Sequence, residues 1–255
     1  MGVQCNIRKC LPSLFIELDT IVEYQSFIYS GAEYEAQYYL VSDSVVDIKD
    51  DDVKQLLDDL YSLPNLVTYF HRNGIIEYFD NDSLFKAALP GIIEEESNMV
   101  PPVSFEFDVP DDAGNIPLPE VTDNCANLFI YDNDNYGGTM QPLHLSSNAR
   151  ERRIEHLKPI YGMNDKTTSI VAYSFGGTTQ YQFYEDDTYR NHCLAFTTYA
   201  NSREKINGPL DSHFINPSGF NYGMTFLPDL KNIHVIGTNS SSWNDRITSI
   251  IITRM

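Results

Sequence analysis

Two polar hexapeptides in the C-terminal half of this 255-residue chain carry the residue types suited to holding a hard cation. They are Asn164-Asp165-Lys166-Thr167-Thr168-Ser169 and Asn244-Asp245-Arg246-Ile247-Thr248-Ser249, and each runs into an apolar pair, Ile170-Val171 or Ile250-Ile251, that reads as a strand. Asn, Asp, Thr and Ser present only hard oxygen donors, and calcium gathers roughly six to eight such oxygens, loop carbonyls included. The set suits calcium rather than a soft metal. A plainer reading stands beside it, because Asx and Ser/Thr side chains also close turns through local hydrogen bonds.

Each hexapeptide follows a second matching segment. Phe129-Ile130-Tyr131-Asp132-Asn133-Asp134-Asn135-Tyr136-Gly137-Gly138 aligns with Gln182-Phe183-Tyr184-Glu185-Asp186-Asp187-Thr188-Tyr189-Arg190-Asn191: aromatic, acid, three residues, aromatic, one residue, turn-former. An aromatic five residues after another suits a strand that folds over into a hairpin with the rings packed across the fold. Gly138 supplies a positive φ at the turn, and Asn191 at the matching place is among the few residues that tolerate it. Internal duplication of this kind organises the whole C-terminal half.

These residues resemble the βγ-crystallin superfamily, in which an aromatic-rich hairpin is followed by a calcium-binding Asn/Asp-Asn/Asp-x-x-Ser/Thr-Ser hexapeptide; both hexapeptides match at every specified position. The resemblance covers about 127–255 and implies an all-β double Greek-key sandwich, with keys over 127–175 and 181–255. It also implies two calcium sites, each shared between the hexapeptide loop of one key and the hairpin loop of the other. On matching positions the side-chain ligands are Asp165, Ser169, Asp245 and Ser249, with Asn164 and Asn244 supporting the loops and the carbonyls of Asp132, Glu185, Lys166 and Arg246 completing the shells. The second key departs from the pattern: Asn191–Asn239 is much longer than its counterpart, and Leu157 lies seven residues before Asn164 where Leu230 lies fourteen before Asn244.

The elements that must carry these loops are strands, and the N-terminal half offers a different mixture. Leu14–Tyr29 alternates apolar and polar residues, Ser30-Gly31 marks a turn, and Tyr34–Leu40 alternates again, predicting a hairpin. Asp50–Asp52 precede Val53, Leu56, Leu57 and Leu60 at helical spacing, and Pro64 closes the helix. Leu66–Phe70 and Ile75–Phe79 flank Asn73-Gly74, a hairpin signal. The expectation is therefore two domains: an acidic α+β unit (ββαββ) over 1–90, a Pro- and acid-rich linker over 91–124, with Phe105, Phe107 and Val109 able to add an edge strand, and a βγ-crystallin-like domain over 125–255.

Composition narrows the function classes. The net charge of −19 divides into −17 over residues 1–120 and −2 over 121–255. Nucleic-acid backbones are bound by clustered Lys and Arg, so this chain is not expected to be a nucleic-acid partner. No apolar run approaches the length of a membrane span, so no transmembrane segment is expected. Met1–Cys10 lacks a signal-like apolar stretch; the expectation is secretion or the cell surface if a signal was removed, and the cytoplasm otherwise. Cys5, Cys10, Cys125 and Cys193 allow three full disulfide pairings, or free thiols, and have no zinc-like spacing.

The six histidines, the acidic runs and Ser174 assemble into no catalytic pattern, and the EF-hand reading of Asp132-Asn133-Asp134 fails because Leu143 stands where its Glu is required. The chain reads as a non-enzymatic calcium-binding protein with a structural, stress or surface-associated role. The alternative is a recognition or inhibitory module that binds a protein or glycan through the long 191–239 insertion.

Overall fold

A computed structural model describes residues 22–42, 45–99, 126–175, 177–199, 203–205, 222–227, 229–230, 234–235 and 241–255. The chain is mostly β-sheet. Strands β1 (Val22–Tyr29), β2 (Ala32–Ser42) and β3 (Val45–Ile48) are followed by α1 (Asp51–Tyr61), β4 (Val67–Phe70), β5 (Ile76–Phe79) and α2 (Asp82–Asn98). Then come β6 (Ala126–Tyr131), β7 (Met140–Leu145), β8 (Glu151–Ile154), the short α3 (Leu157–Tyr161), β9 (Ser169–Phe175), β10 (Thr179–Asp186) and β11 (Arg190–Thr198). The last are β12 (Arg203–Lys205), β13 (Tyr222–Leu227), β14 (His234–Val235), β15 (Ser241–Ser242) and β16 (Ser249–Arg254).

The local signals account for most of the first half. Ser30 and Gly31 both take positive φ, +51° and +74°, and so turn β1 back along β2 in full antiparallel register. The Asp50 side chain caps α1 by accepting from the Asp52 and Val53 amides, and Leu57 and Leu60 are its buried face. β4 and β5 form the hairpin expected around Asn73-Gly74.

The expected ββαββ pattern is short by one strand, β3, and by one helix, α2. Helix α2 also overturns the start of the expected linker, since it continues through Pro90 to Asn98. Asn81 caps it through the Ser83 and Leu84 amides, and Phe85, Leu89, Ile92 and Glu96 form one buried stripe. That packing holds a helix whose interior proline lacks an amide donor. The remainder of the expected linker, the possible strand at 105–109, the start of the 14–29 strand and most of the 191–239 insertion lie outside the described residues.

The strands assemble into a nine-stranded sheet, β3-β2-β1-β5-β4-β11-β10-β16-β8, a five-stranded sheet, β12-β13-β9-β6-β7, and a two-stranded ribbon, β14-β15. Two relations matter for function. First, the repeats exchange a strand: β8 of the first repeat joins β10, β11 and β16, while β13 of the second joins β6, β7 and β9. Second, the N-terminal and C-terminal parts meet edge to edge, because β4 pairs in parallel with β11, from Val67 beside Cys193 to Phe70 beside Phe196. The matching strand of the first repeat, β7, stays at the sheet edge and carries Pro142, which has no amide to offer a neighbour.

One apolar cluster extends from Phe27, Leu57 and Tyr78 to Tyr181, Phe183, Phe196 and Ile252. A second lies beneath α2, where Phe85, Leu89 and Ile92 meet Tyr184, Cys193, Ala195 and Ile251. Among the described residues no helix is long and apolar enough to cross a membrane.

Candidate cation-binding loops

The two repeats adopt the same uncommon backbone at corresponding residues. Asn135 and Tyr136 take φ of +48° and +61°, and Thr188 and Tyr189 take +62° and +61°. Gly138 at +73° corresponds to Asn191 at +65°, and Asp165 at +51° corresponds to Asp245 at +58°. Left-handed conformations are costly for residues with a Cβ, so their recurrence in register needs a tertiary cause.

That cause is a set of ties between each hairpin and its own hexapeptide. Tyr136 packs edge-on against Tyr131 at 5.8 Å, and Tyr189 against Tyr184 at 5.8 Å. The Ser169 hydroxyl donates to the Asn133 carbonyl at 2.7 Å and accepts from the Tyr136 amide at 3.0 Å. The Ser249 hydroxyl repeats this with the Asp186 carbonyl at 2.7 Å and the Tyr189 amide at 3.2 Å. The Thr168 amide donates to the Tyr131 carbonyl at 2.8 Å and the Thr248 amide to the Tyr184 carbonyl at 2.9 Å.

The Thr hydroxyls also reach the hairpin carbonyls expected to serve the ions. Thr168 Oγ1 donates to the Asp132 carbonyl at 3.2 Å, and Thr248 Oγ1 donates to that of Glu185. Ser169 and Ser249, expected as ligands, are thus buried hairpin anchors, with capacity left on the hydroxyl oxygen for one further contact. Thr168, Thr248, Asn133 and Asp186 lie in the expected hexapeptides and hairpins, but their part as ties between the two is not among the expected roles. Their signal was present in the matching hexapeptides and hairpins, but the partners become evident only when the strands close.

The first halves of the hexapeptides face outward. Asp165 and Asp245 are exposed, and the carboxylate of each accepts from the side-chain Nδ2 of the preceding residue, Asn164 or Asn244. Lys166 is exposed, whereas Arg246 pairs with the Glu185 carboxylate, which also meets His192 Nδ1 at 3.1 Å. Burial opposes ionisation of Glu185, but His192 and Arg246 outweigh it and hold the carboxyl below its ordinary range.

The two loops also meet across the repeats. The Leu157 amide donates to the Thr248 carbonyl at 3.0 Å, and the Leu230 amide donates to the Thr168 carbonyl at 2.7 Å. The two leucines therefore occupy equivalent places despite their different distances from the hexapeptides. The Asp245 amide donates to the Thr167 carbonyl at 3.2 Å. On the hairpin side, the Thr188 amide reaches the Glu155 carbonyl at 3.3 Å and Asp187 meets His156 Nδ1 at 3.2 Å.

Asp165 registers this crowding. Its carboxyl is raised above the usual carboxylate range by partial burial, with Asp187 and Asp245 adding repulsion against the opposing influence of Lys158 and Asn164. A divalent cation would relieve that repulsion. Among the described residues no three His, Cys, Asp or Glu side chains converge into a metal site by themselves. Any cation held here must therefore draw on loop carbonyls and hydroxyls as well as carboxylates, the mixed donor set that calcium accepts.

The hairpin geometry predicts unequal effects of turn substitutions. A Cβ at Gly138 would collide with the Asp132 side chain in addition to the cost of positive φ. Gly138→Ala is expected to lower stability by about 2 kcal/mol and Asn191→Ala by about 1 kcal/mol, read from urea unfolding midpoints. Comparison of this chain with protein-family models, with curated proteins and with solved structures found no match.

Proposed function

We propose that residues 125–255 are a βγ-crystallin-like pair of Greek keys that binds two calcium ions, and that the protein is a non-enzymatic calcium-binding protein with a structural, stress or surface-associated role. The observation that carries this reading is the repeated positive-φ Asp at the second place of each hexapeptide. Asp165 and Asp245 stand outward on loops that are anchored to their own hairpins and linked to the other repeat. The exchanged strands β8 and β13 support it too, because exchange brings each hexapeptide beside the other repeat.

On this reading Asp165 and Asp245 supply carboxylate oxygen, Ser169 and Ser249 hydroxyl oxygen, and Asp132, Glu185, Lys166 and Arg246 main-chain carbonyls. Asn164 and Asn244 orient the aspartates. Binding only the folded loops, the ions would stabilise the protein by RT ln(1 + [Ca]/Kd). Calorimetric calcium titration is expected to give two ions for the wild type and one each for Asp165→Ala and Asp245→Ala. Absence of calcium heat in the wild type would sink the proposal.

A further inference from the structure

Glu96 is a buried carboxylate, 1% exposed, near the C-terminal end of α2. Four donors converge on it. His71 Nδ1 lies at 2.8 Å, the Arg72 amide at 3.1 Å and the Tyr69 hydroxyl at 3.1 Å, and the Tyr199 hydroxyl makes a short bond to Oε2. His71 Nε2 is 2.8 Å from Glu77 on β5, and the Arg72 guanidinium reaches the Glu96 carbonyl and lies over the Tyr199 ring. Tyr69 Oη is also 3.0 Å from Thr197 Oγ1.

These groups come from two parts of the chain. Tyr69, His71, Arg72, Glu77 and Glu96 belong to the N-terminal part; Thr197 and Tyr199 lie at the end of β11 in the second repeat. They close one end of the seam at which β4 pairs with β11. The four-residue parallel ladder and both apolar clusters also cross the seam, as do the Cys193 amide on the Leu66 carbonyl at 2.9 Å, Gln182 Nε2 on Asp82 at 3.0 Å and His192 Nε2 at 3.1 Å from the Leu63 carbonyl. Parallel pairing is slightly weaker per residue than antiparallel pairing.

We propose that Glu96 is a charge-dependent latch: its ionised carboxylate holds residues 22–98 against the edge of the second repeat's sheet, and neutralising it frees the β4–β11 seam and uncovers Cys193. An ionised carboxylate satisfies all four donors at once. A neutral acid or amide presents its own hydrogens to some of them and leaves buried donors without an acceptor. Opening the seam returns those donors to water.

The electrostatics keep the latch closed around neutrality. Burial alone would favour a neutral His71, but its bonds to Glu77 and Glu96 raise it to about 9. Burial likewise opposes the Glu96 charge, and bonds from His71, Tyr199 and the Arg72 amide lower its pKa nevertheless. The His71 contribution is complete below its ordinary range and is lost as the pH rises through about 9; that of Glu96 is lost as the pH falls below the carboxylate range. When open, the seam would present β11 as an unpaired edge competent to pair with another strand.

Cys193 is the built-in reporter, a free thiol buried beneath α2. The full-length wild type, Glu96→Gln and Tyr199→Phe would be treated with N-ethylmaleimide at pH 7, and alkylation of Cys193 followed by peptide mass spectrometry alongside amide hydrogen exchange in β6 and β9. Glu96→Gln is expected to speed Cys193 alkylation by about tenfold or more and Tyr199→Phe by less, with β6 and β9 exchange unchanged. Unchanged alkylation in both variants would overturn the latch. So would alkylation that rises in step with exchange in β6 and β9, since that reports general loosening.

Discussion

Gly223→Ala is expected to be among the most damaging small substitutions in this protein, costing about 3 kcal/mol. Gly223 lies in β13 opposite Ser174 of β9. Its missing side chain leaves room for the main chain at Tyr199, just beyond β11 of the other sheet. A Cβ there would collide with the Tyr199 carbonyl group and press on the Thr198 methyl. Backbone atoms cannot rotate away as a side-chain tip can, so one sheet must shift against the other. The shift would also strain the 2.8 Å Thr198–Thr225 hydroxyl contact and displace the Tyr199 ring that bonds Glu96. Gly91→Ala on the exposed face of α2 is the control: a Cβ there meets nothing within 4 Å, and the better helix former should gain up to about 1 kcal/mol. Urea unfolding of both variants checks the contrast, and a Gly223→Ala midpoint equal to wild type would refute it.

Trp243→Ala is the second substitution with a large expected effect, about 3–5 kcal/mol. Trp243 is the sole tryptophan, is 1% exposed, and sits immediately before Asn244 of the second hexapeptide. The first repeat puts Met163 in the same place, also 1% exposed and in the same apolar cluster. Both side chains fix the entry into a hexapeptide loop from beneath. Truncating Trp243 leaves a cavity and loosens that entry, whereas Trp243→Met borrows the first repeat's own residue and should recover at least half of the loss. Denaturant unfolding measures the stabilities. If the alanine and methionine variants are equally destabilised, the equivalence between Trp243 and Met163 fails.

Local patterns sufficed where a feature depends on neighbours in sequence. The Asp50 cap and the Leu57/Leu60 face specified α1, Ser30-Gly31 and Asn73-Gly74 specified two hairpins, and the duplicated aromatic spacing located the folded hairpins at Tyr131–Gly138 and Tyr184–Asn191. Even the left-handed place shared by Gly138 and Asn191 was legible, because few residues tolerate it. Helix α2 is not legible in the sequence although Asn81 caps it, because Pro90 and the acidic run after it carry the local signature of a linker. Burial of Phe85, Leu89 and Ile92 against strands distant in sequence outweighs that signature.

The hexapeptides show the same division. Sequence by itself determined which residues offer hard oxygens, which pairs are equivalent, and where the chain turns, because composition and period are local properties. Only the tertiary structure decided that Ser169 and Ser249 anchor hairpins, that Leu157 and Leu230 grip the opposite repeat's loop, and that Asp165 lies near enough to Asp187 and Asp245 to feel their charge. It likewise decided that the acidic N-terminal part joins the second repeat through β4 and Glu96. Such contacts join residues scores of positions apart, and their energies depend on distance and burial, which no local pattern encodes.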